Sequence, residues 1–466
     1  MKTKKKSEWE IKQTILNSIP IVCFRDRVYG ASKENTSLKL NRKHYVVIIV
    51  SEFLNVVKEN GFSLCVQNNS IYLFNGQYWQ EQSKEQFSVF LGQVAGKMGA
   101  DEFDSKHFGF IDDLMKQFLI TAILPTPKPK DNTVLINLQN GTLELSQKGV
   151  KLREYKNEDF LTYVLPFEYS PKAKAPIWEN FLNRVLPDIT KQQVLAEYLG
   201  YIFINMRVLK LEKVLMLLGG GANGKSVVYE VLNVLLGSEN VTNYSLENLT
   251  DQTGYYRAMI ENKLLNYCSE IGVRLDSTIF KQLASGEKIN ARLPYGNPIH
   301  IENYAKLIFN SNNLPESTEK TNAYYRRFLI VEFDQTIPES EQDKELSKKI
   351  IDSELSGVLN WVIEGLERLL NQKRFTYSEA VERALNTYKT QSDTVRLFLK
   401  EEGYNVSDKV ITLQELYVNY KSFCLIDGYK FVNNISFRNQ LSNIGITTTR
   451  RNTGIVVFLE KTGKTE

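Results

Sequence analysis

The run Leu211-Glu-Lys-Val-Leu-Met-Leu-Leu218-Gly219-Gly220-Gly221-Ala222-Asn223-Gly224-Lys225-Ser226-Val227, continued by Val228 to Leu236, decides the fold class. It opens as an apolar β-type run, satisfies GxxxxGK[ST] in full from Gly219 to Ser226, and ends with apolar residues at helical spacing. Phosphate chemistry needs a strand feeding a glycine-rich loop and then a helix. The glycines let backbone N–H groups turn inward, and the helix N-terminus adds its positive end. In that setting Lys225 places a charge on the β- and γ-phosphates, and the Ser226 hydroxyl suits Mg²⁺. Gly219 to Val227 are therefore the candidate nucleotide-binding residues, with ATP and Mg²⁺ the expected ligands. The plain alternative is a fortuitous glycine-rich turn, and the flanking strand and helix argue against it.

Such a loop alone leaves kinases, switches and motors open, and the next hundred residues discriminate. Strands and helices alternate to about Val331, the pattern of an α/β core. Lys263-Leu-Leu-Asn-Tyr-Cys-Ser269-Glu270 reads as a buried strand ending in a carboxylate, so Glu270 could serve the Mg²⁺ shell or polarise an attacking water. Ala305 to Pro315 reads as a second strand, with Asn312 at its tip where an amide could sense the γ-phosphate; an Asn-rich turn before proline would look the same. Ala323-Tyr-Tyr-Arg326-Arg327-Phe-Leu-Ile-Val331 sets paired arginines before a third strand. An arginine offered across a subunit boundary stabilises charge on a transferring phosphoryl group, whereas two arginines on a solvated face do nothing. The order of loop, acidic strand tip, Asn strand tip and arginine pair, within about 110 residues, argues against coincidence.

Between the second and third of these lies Phe280 to Gly296, with Lys281, Lys288, Arg292 and Tyr295. Basic side chains grip backbone phosphates and an aromatic gives a sequence-tolerant stacking face. Gly286 and Pro294 to Gly296 supply the turns of a projecting hairpin. An ordinary basic surface hairpin is the competing reading.

Outside this core the signals are those of smaller modules. Residues 1–60 read as mixed helix, with Tyr45 to Val57 apolar enough for burial, and carry twelve Lys or Arg against six Asp or Glu. Ser70 to Trp79 and Thr133 to Leu145 each read as a hairpin, around Asn75-Gly76 and Asn140-Gly141. Residues 125–129 read as a proline loop. From Trp178 to Met206 apolar residues recur at helical spacing, broken by Pro187-Asp188 into two helices, and Leu355 to Leu370 is an amphipathic helix. The last stretch reads as three helices and then a strand at Gly454 to Leu459, the outline of a winged helix, with Arg450 and Arg451 its best candidate DNA contacts.

The chain has 466 residues, 42% apolar and 24% charged, with a net charge of +4 too small to establish a nucleic-acid partner. Lys2, Lys4, Lys5 and Lys6 form a basic tail, but Glu8, Trp9 and Glu10 follow where a signal peptide would turn apolar. Cys23, Cys65, Cys268 and Cys424 are scattered, which speaks against a disulfide framework or zinc site. No apolar run approaches a membrane span. A soluble protein of a bacterial host cytoplasm is expected.

Taken together, these motifs resemble the superfamily 3 helicases of the poxvirus D5 and phage–plasmid P4-like primase–helicase group. The likeness covers roughly residues 65–460 and is strongest at Gly219–Ser226, Leu264–Glu270, Phe280–Pro298, Ala305–Pro315 and Tyr325–Phe333. It implies an α/β protein with an AAA+-type P-loop NTPase core, an α+β N-terminal domain, a helical collar and a C-terminal winged helix. The corresponding divisions are a basic segment 1–64, a pre-helicase domain 65–175, a collar 176–212, a motor 213–375 and a terminal domain 376–466. It further implies a homohexameric ATP-driven helicase moving 3′ to 5′ on single-stranded and replication-fork DNA of a phage, plasmid or island. Lys225 and Ser226 would be Walker A, Glu270 Walker B, Asn312 the sensor, and Arg326 or Arg327 the finger. Lys281, Lys288, Arg292 and Tyr295 would line the channel. Two departures stand out: Ser269 occupies the place of the usual Mg²⁺-directed carboxylate, and no clustered Asp/His primase pattern precedes the collar. A primase would then be missing or a separate chain, and a separate polymerase is a further candidate partner. The same motifs would serve an ATP-gated origin-binding initiator; a small-molecule P-loop kinase would not need the arginine pair.

Overall fold

A computed structural model of the chain describes residues 7–30, 39–67, 70–124, 133–146, 149–206, 208–272, 275–294, 296–315, 319–429, 431–452 and 454–462. The lysine tail, the proline loop 125–129 and Tyr295 fall outside them. The chain divides into two compact units, residues 1–169 and 170–466.

The first unit begins with α1 (Glu8–Ser18), α2 (Phe24–Tyr29) and α3 (Arg42–Glu59). The apolar run expected to be buried is the inner face of α3: Val46, Ile49, Val50, Phe53, Val56 and Val57. Next come β1 (Ser63–Gln67), β2 (Ser70–Phe74) and β3 (Trp79–Gln82), a three-stranded antiparallel sheet in that order. In the expected hairpin, Asn75 Oδ1 accepts from the N–H groups of Gln77 and Tyr78, both at 3.0 Å, so the turn runs to Tyr78 before β3 starts. Three helices follow: α4 (Lys84–Lys97), α5 (Glu102–Lys106) and α6 (Phe108–Thr121). One apolar core runs from Ile11 to Ala122, so the N-terminal helices share it with α4 and α6. The unit closes with a second antiparallel sheet, β4 (Val134–Leu138), β5 (Gly141–Ser146) and β6 (Gly149–Arg153). Gly141 is required at its turn. It sits at φ 144°, and a Cβ there would lie 2.5 Å from the Arg153 carbonyl oxygen.

The second unit starts with α7 (Pro176–Val185) and α8 (Ile189–Tyr201), parted at Pro187 as the sequence predicts. Asp188 caps α8 by accepting from Thr190 N–H at 2.8 Å. The central element is a five-stranded sheet in the order β13-β7-β12-β9-β8, parallel throughout. Along the chain its parts are β7 (Val214–Leu218), α9 (Lys225–Leu236), β8 (Val241–Thr242), α10 (Leu246–Leu249), α11 (Tyr255–Ala258) and β9 (Leu265–Cys268). Then come α12 (Ser277–Ser285), the two-stranded ribbon β10 (Ile289–Arg292) and β11 (Pro298–Ile301), β12 (Lys306–Ser311), α13 (Asn322–Tyr325) and β13 (Phe328–Glu332).

The helix α14 (Leu346–Gln372) starts nine residues before the Leu355 expected from periodicity. It packs closely on α8 because both helices offer glycine at the contact. A Cβ on Gly365 would lie 2.5 Å from the Ala196 carbonyl carbon, and one on Gly200 would lie 2.7 Å from Leu366 Cβ. From α14, Glu354 accepts the N–H groups of Ile177 and Trp178, each at 2.9 Å, and so caps α7, whose own Ala175 has no side-chain acceptor.

After α14 come α15 (Glu379–Ser392), α16 (Thr394–Glu401), β14 (Tyr404–Thr412), α17 (Leu413–Ile426), α18 (Asn434–Asn443), β15 (Thr448–Arg451) and β16 (Gly454–Lys461). The expected three helices and one strand are here four helices and a three-stranded sheet, ordered β14-β16-β15. Strand β14 escaped the sequence reading because Ser407-Asp408-Lys409 interrupts its alternation, at a bulge in its pairing with β16.

Candidate functional site

The loop from Gly219 to Gly224 joins the carboxyl end of β7 to the amino end of α9, and its shape is set by residues that only fit one way. A Cβ on Gly219 would meet Asn223 Nδ2 and the Phe333 carbonyl oxygen, each at 2.4 Å. Gly224 is left-handed at φ 87° and faces the Phe181 ring of α7, 2.7 Å from where a Cβ would stand. Ala222 is also left-handed, at φ 56°, and its carbonyl accepts from Ile337 N–H at 2.8 Å. Asn223 is buried and donates to the carbonyls of Gly220 (2.7 Å) and Phe333 (3.1 Å). Gly220 and Gly221 have open space around them, so backbone could approach a ligand there.

Lys225 is buried, and its ammonium donates to Gly219 O (2.7 Å), Gly220 O (2.9 Å) and Asn223 Oδ1 (2.9 Å). Burial pulls its pKa below the usual lysine value. Ser226 is exposed and Val227 half-buried at the first turn of α9. They face a cleft of about 2220 Å³ at the carboxyl ends of the parallel strands, lined by the loop, by Ser269 and Glu270 after β9, and by Asn312 after β12. Thus Lys225, Ser226, Glu270 and Asn312, from three separate strand ends, share one cavity, with Glu270 and Asn312 exposed to it. Part of its lining was not legible in the sequence: Phe181 and Arg184 from α7, then Ile337 and Gln342, reach it through non-local packing. Among the described residues no three His, Cys, Asp or Glu side chains gather as a metal site.

The arginine pair is not part of this cleft. Arg326 and Arg327 precede β13, at its amino end, while the β7 partner of Glu332 is Leu218 at the loop. A five-residue strand thus separates them from the chain's own loop, about 16 Å. Arg327 is buried, with Nε on Lys281 O (3.3 Å), Nη2 on Ser285 Oγ (3.1 Å) and Nη1 on Ala323 O. Arg326 is exposed and pairs with Glu212 at 3.2 Å.

Of the basic candidates on the ribbon, Lys281 is engaged. It lies on α12, half-buried, and donates to both Glu319 oxygens at 3.0 and 2.8 Å. Burial opposes ionisation of Glu319, but hydrogen bonds from Lys281, Ser277 and Thr321 hold its pKa down at about 2. Lys288 is exposed and meets Glu302 across the ribbon at 3.0 Å; Arg292 is exposed and donates through Nε to Gly296 O at 2.9 Å. Two aromatics the sequence reading passed over stand beside them. Arg292 N–H donates to Gly254 O, and Arg257 Nε to Asn290 O, which seats α11 with its exposed Tyr255 and Tyr256 against the ribbon. In the C-terminal sheet, Arg451 lies over the Phe458 ring at 5.5 Å.

Residues 50–187 match the family described as D5 N terminal like, and residues 217–327 match a family of unknown function (DUF5906). The first of these stretches thus resembles a D5-like family. Among curated proteins it is 22% identical over 334 residues to "Putative helicase 121R" of Invertebrate iridescent virus 3, covering 63% of this chain and 35% of that one. It is 23% identical over 232 residues to "Putative helicase L207/L206" of Acanthamoeba polyphaga mimivirus, covering 47% of this chain and 24% of that one. The chain thus spans about a third or less of these relatives. The solved A-form apo structure of the NrS-1 C-terminal region shares its fold at a TM-score of 0.50 and 14% identity, covering 89% of this chain and 99% of that one. Among the described residues no helix is long and apolar enough to cross a membrane.

Proposed function

We propose that this chain is an ATP-driven motor on single-stranded DNA, a superfamily 3 helicase working as a homo-oligomeric ring, by family habit a hexamer moving 3′ to 5′. The observation that carries the reading is the convergence of Lys225, Ser226, Glu270 and Asn312 on one cleft from three strand ends. The strand order supports an AAA+-type core, because the strand bearing Asn312 lies between the loop strand and the acidic strand. Lys225 would release its loop carbonyls to meet the β- and γ-phosphates, while loop N–H groups hold the same oxygens. Ser226 and Glu270 fit Mg²⁺ only as a partial set, so phosphate and water would supply the remaining ligands, as Mg²⁺ prefers. Bound Mg²⁺ would neutralise charge on the phosphates. Glu270 would orient and polarise the attacking water, and Asn312 would register the γ-phosphate.

The viral relatives are named as helicases, and the site's surroundings support the same use here. The arginine pair stands a strand's length from its own cleft, so an arginine acting on phosphate would act on a neighbour's. Lys288 and Arg292 around the ribbon and Tyr255 and Tyr256 on the adjoining α11 combine phosphate-gripping and stacking groups, suited to a single strand. The sheet β14-β16-β15 with α16 to α18 supports a winged-helix module. ATP turnover with and without single-stranded DNA tests the reading. Wild-type chain should hydrolyse ATP faster with DNA, Lys225→Ala should not turn over, and Glu270→Gln should bind ATP but be slowed about 100-fold or more. Normal turnover by Lys225→Ala would remove the P-loop assignment.

A further inference from the structure

The linker between α8 and β7 grips the arginine pair. Leu211 N–H donates to the Tyr201 hydroxyl at 3.3 Å, which fixes the linker's course. Lys213 Nζ donates to the carbonyls of Arg326 (2.6 Å) and Phe328 (3.4 Å), which fixes the Arg326 backbone. Between them Glu212 holds a left-handed backbone at φ 56°, a costly conformation for a residue with a side chain, and one its neighbours impose. From there a single carboxylate oxygen, Oε2, reaches Arg326 Nη2 at 3.2 Å and Arg327 Nη2 at 3.6 Å. The other oxygen meets Lys210 Nζ at 3.3 Å, and Lys210 in turn lies 3.9 Å from Glu287, at the base of the ribbon. Neither carboxylate oxygen can swing away without losing a cation.

The two arginines use this carboxylate differently. Arg327 has Lys281, Ser285 and Ala323 to hold it as well. Among the described residues Arg326 is held at its guanidinium by Glu212 alone, through Nη2, while its side chain is 59% exposed. A guanidinium carries five N–H donors in a planar fork, so one contact through Nη2 restrains it and leaves the donors of Nε and Nη1 available to a ligand.

We propose that Glu212 is the positioning residue for the trans-acting arginine, holding Arg326 in the outward pose in which it meets the neighbouring subunit's phosphate. This rests on the ATPase reading given above. Glu212 does not line the nucleotide cleft, so its effect runs through Arg326. Freed of Glu212, the long side chain samples many rotamers and must be ordered anew at every turnover.

Steady-state ATPase assays on the full chain, at concentrations where it assembles, test this with Glu212→Gln, Glu212→Asp, Arg326→Ala and the double variant Glu212→Gln/Arg326→Ala. Glu212→Gln should lower kcat about ten- to a hundredfold with KM for ATP unchanged. Glu212→Asp should recover part of the loss, and the double variant should be no slower than Arg326→Ala alone. Thermal melts identify any variant that fails to fold; if Glu212→Gln does, Glu212→Asp carries the test, and a wild-type kcat there counts against the proposal. An unchanged or raised kcat in Glu212→Gln overturns it, as does a loss that adds fully to that of Arg326→Ala. Normal turnover by Arg326→Ala overturns the proposal and leaves the ATPase reading standing; a wild-type chain without turnover overturns that reading, and the proposal with it.

Discussion

Arg326 and Arg327 are adjacent in the chain and opposite in surroundings. Arg327 is 7% exposed and joins the last turn of α12 to the start of β13, whereas Arg326 has a single carboxylate partner at the surface. Arg327→Ala should therefore cost about 1–3 kcal/mol of stability, since it strands the buried Ser285 hydroxyl. Arg326→Ala removes one exposed ion pair and should cost less than about 1 kcal/mol, yet it should lower kcat about 1000-fold in the assembled protein with ATP affinity nearly intact. Urea melts and ATPase rates on the two variants separate these outcomes; equal melting losses would contradict the assignment. Nothing in Tyr325-Arg326-Arg327-Phe328 foretells the difference, because the groups that create it, Glu212 and Ser285, are remote in sequence. The course of the glycine-rich loop was legible for the converse reason. Its glycines answer to local needs, Gly224 to a left-handed φ and Gly219 to Asn223 four residues on. The Phe181 ring against Gly224 had no local signature.

At the scale of elements, periodic segments read clearly. α3, α7, α8, α9 and both hairpin turns follow from apolar spacing and Asn-Gly pairs. Among the elements missed, two strands have one-sided or slight burial: β6, with its first three residues exposed, and β14, with most of its length exposed along the sheet edge; the buried helices α4 and α6 were not read either. Such strands are specified by their partners rather than by their own alternation. The ribbon β10–β11 was expected and is present, but with Lys281 withdrawn to Glu319 only Lys288 and Arg292 remain free to turn toward a strand of DNA. The exposed pair of Lys288 with Glu302 is a weak competitor for phosphate. The double variant Lys288→Ala/Arg292→Ala should thus weaken single-stranded DNA binding and reduce the slope of log affinity against log salt by about 1.4, two contacts at about 0.7 each. Binding titrations over a salt series check this, and an unchanged slope would move the DNA path off the ribbon.

At the scale of the whole molecule, the parallel sheet puts its catalytic candidates at one end and its arginines at the other. A single copy could bind and hold a nucleotide with its own loop, but it has no arginine of this pair near enough to act on it. If hydrolysis needs this pair it would depend on a second copy, and a ring of such copies would couple each cleft to the next subunit's ribbon through the linker at Glu212. The order of strands and motifs made the core legible from sequence. That two ends of one sheet could serve two different subunits was suggested only by the register of β13 on β7. That arrangement suits a machine that converts turnover into movement, and movement is the property that separates a helicase from an ATP-gated loader with the same motifs. The direct measurement is strand displacement from a forked DNA duplex by the purified chain, with ATP, with a non-hydrolysable ATP analogue, and with ATP and the Lys225→Ala variant. The account predicts strand release with ATP alone; ATP hydrolysis and DNA binding without release of the strand would contradict it.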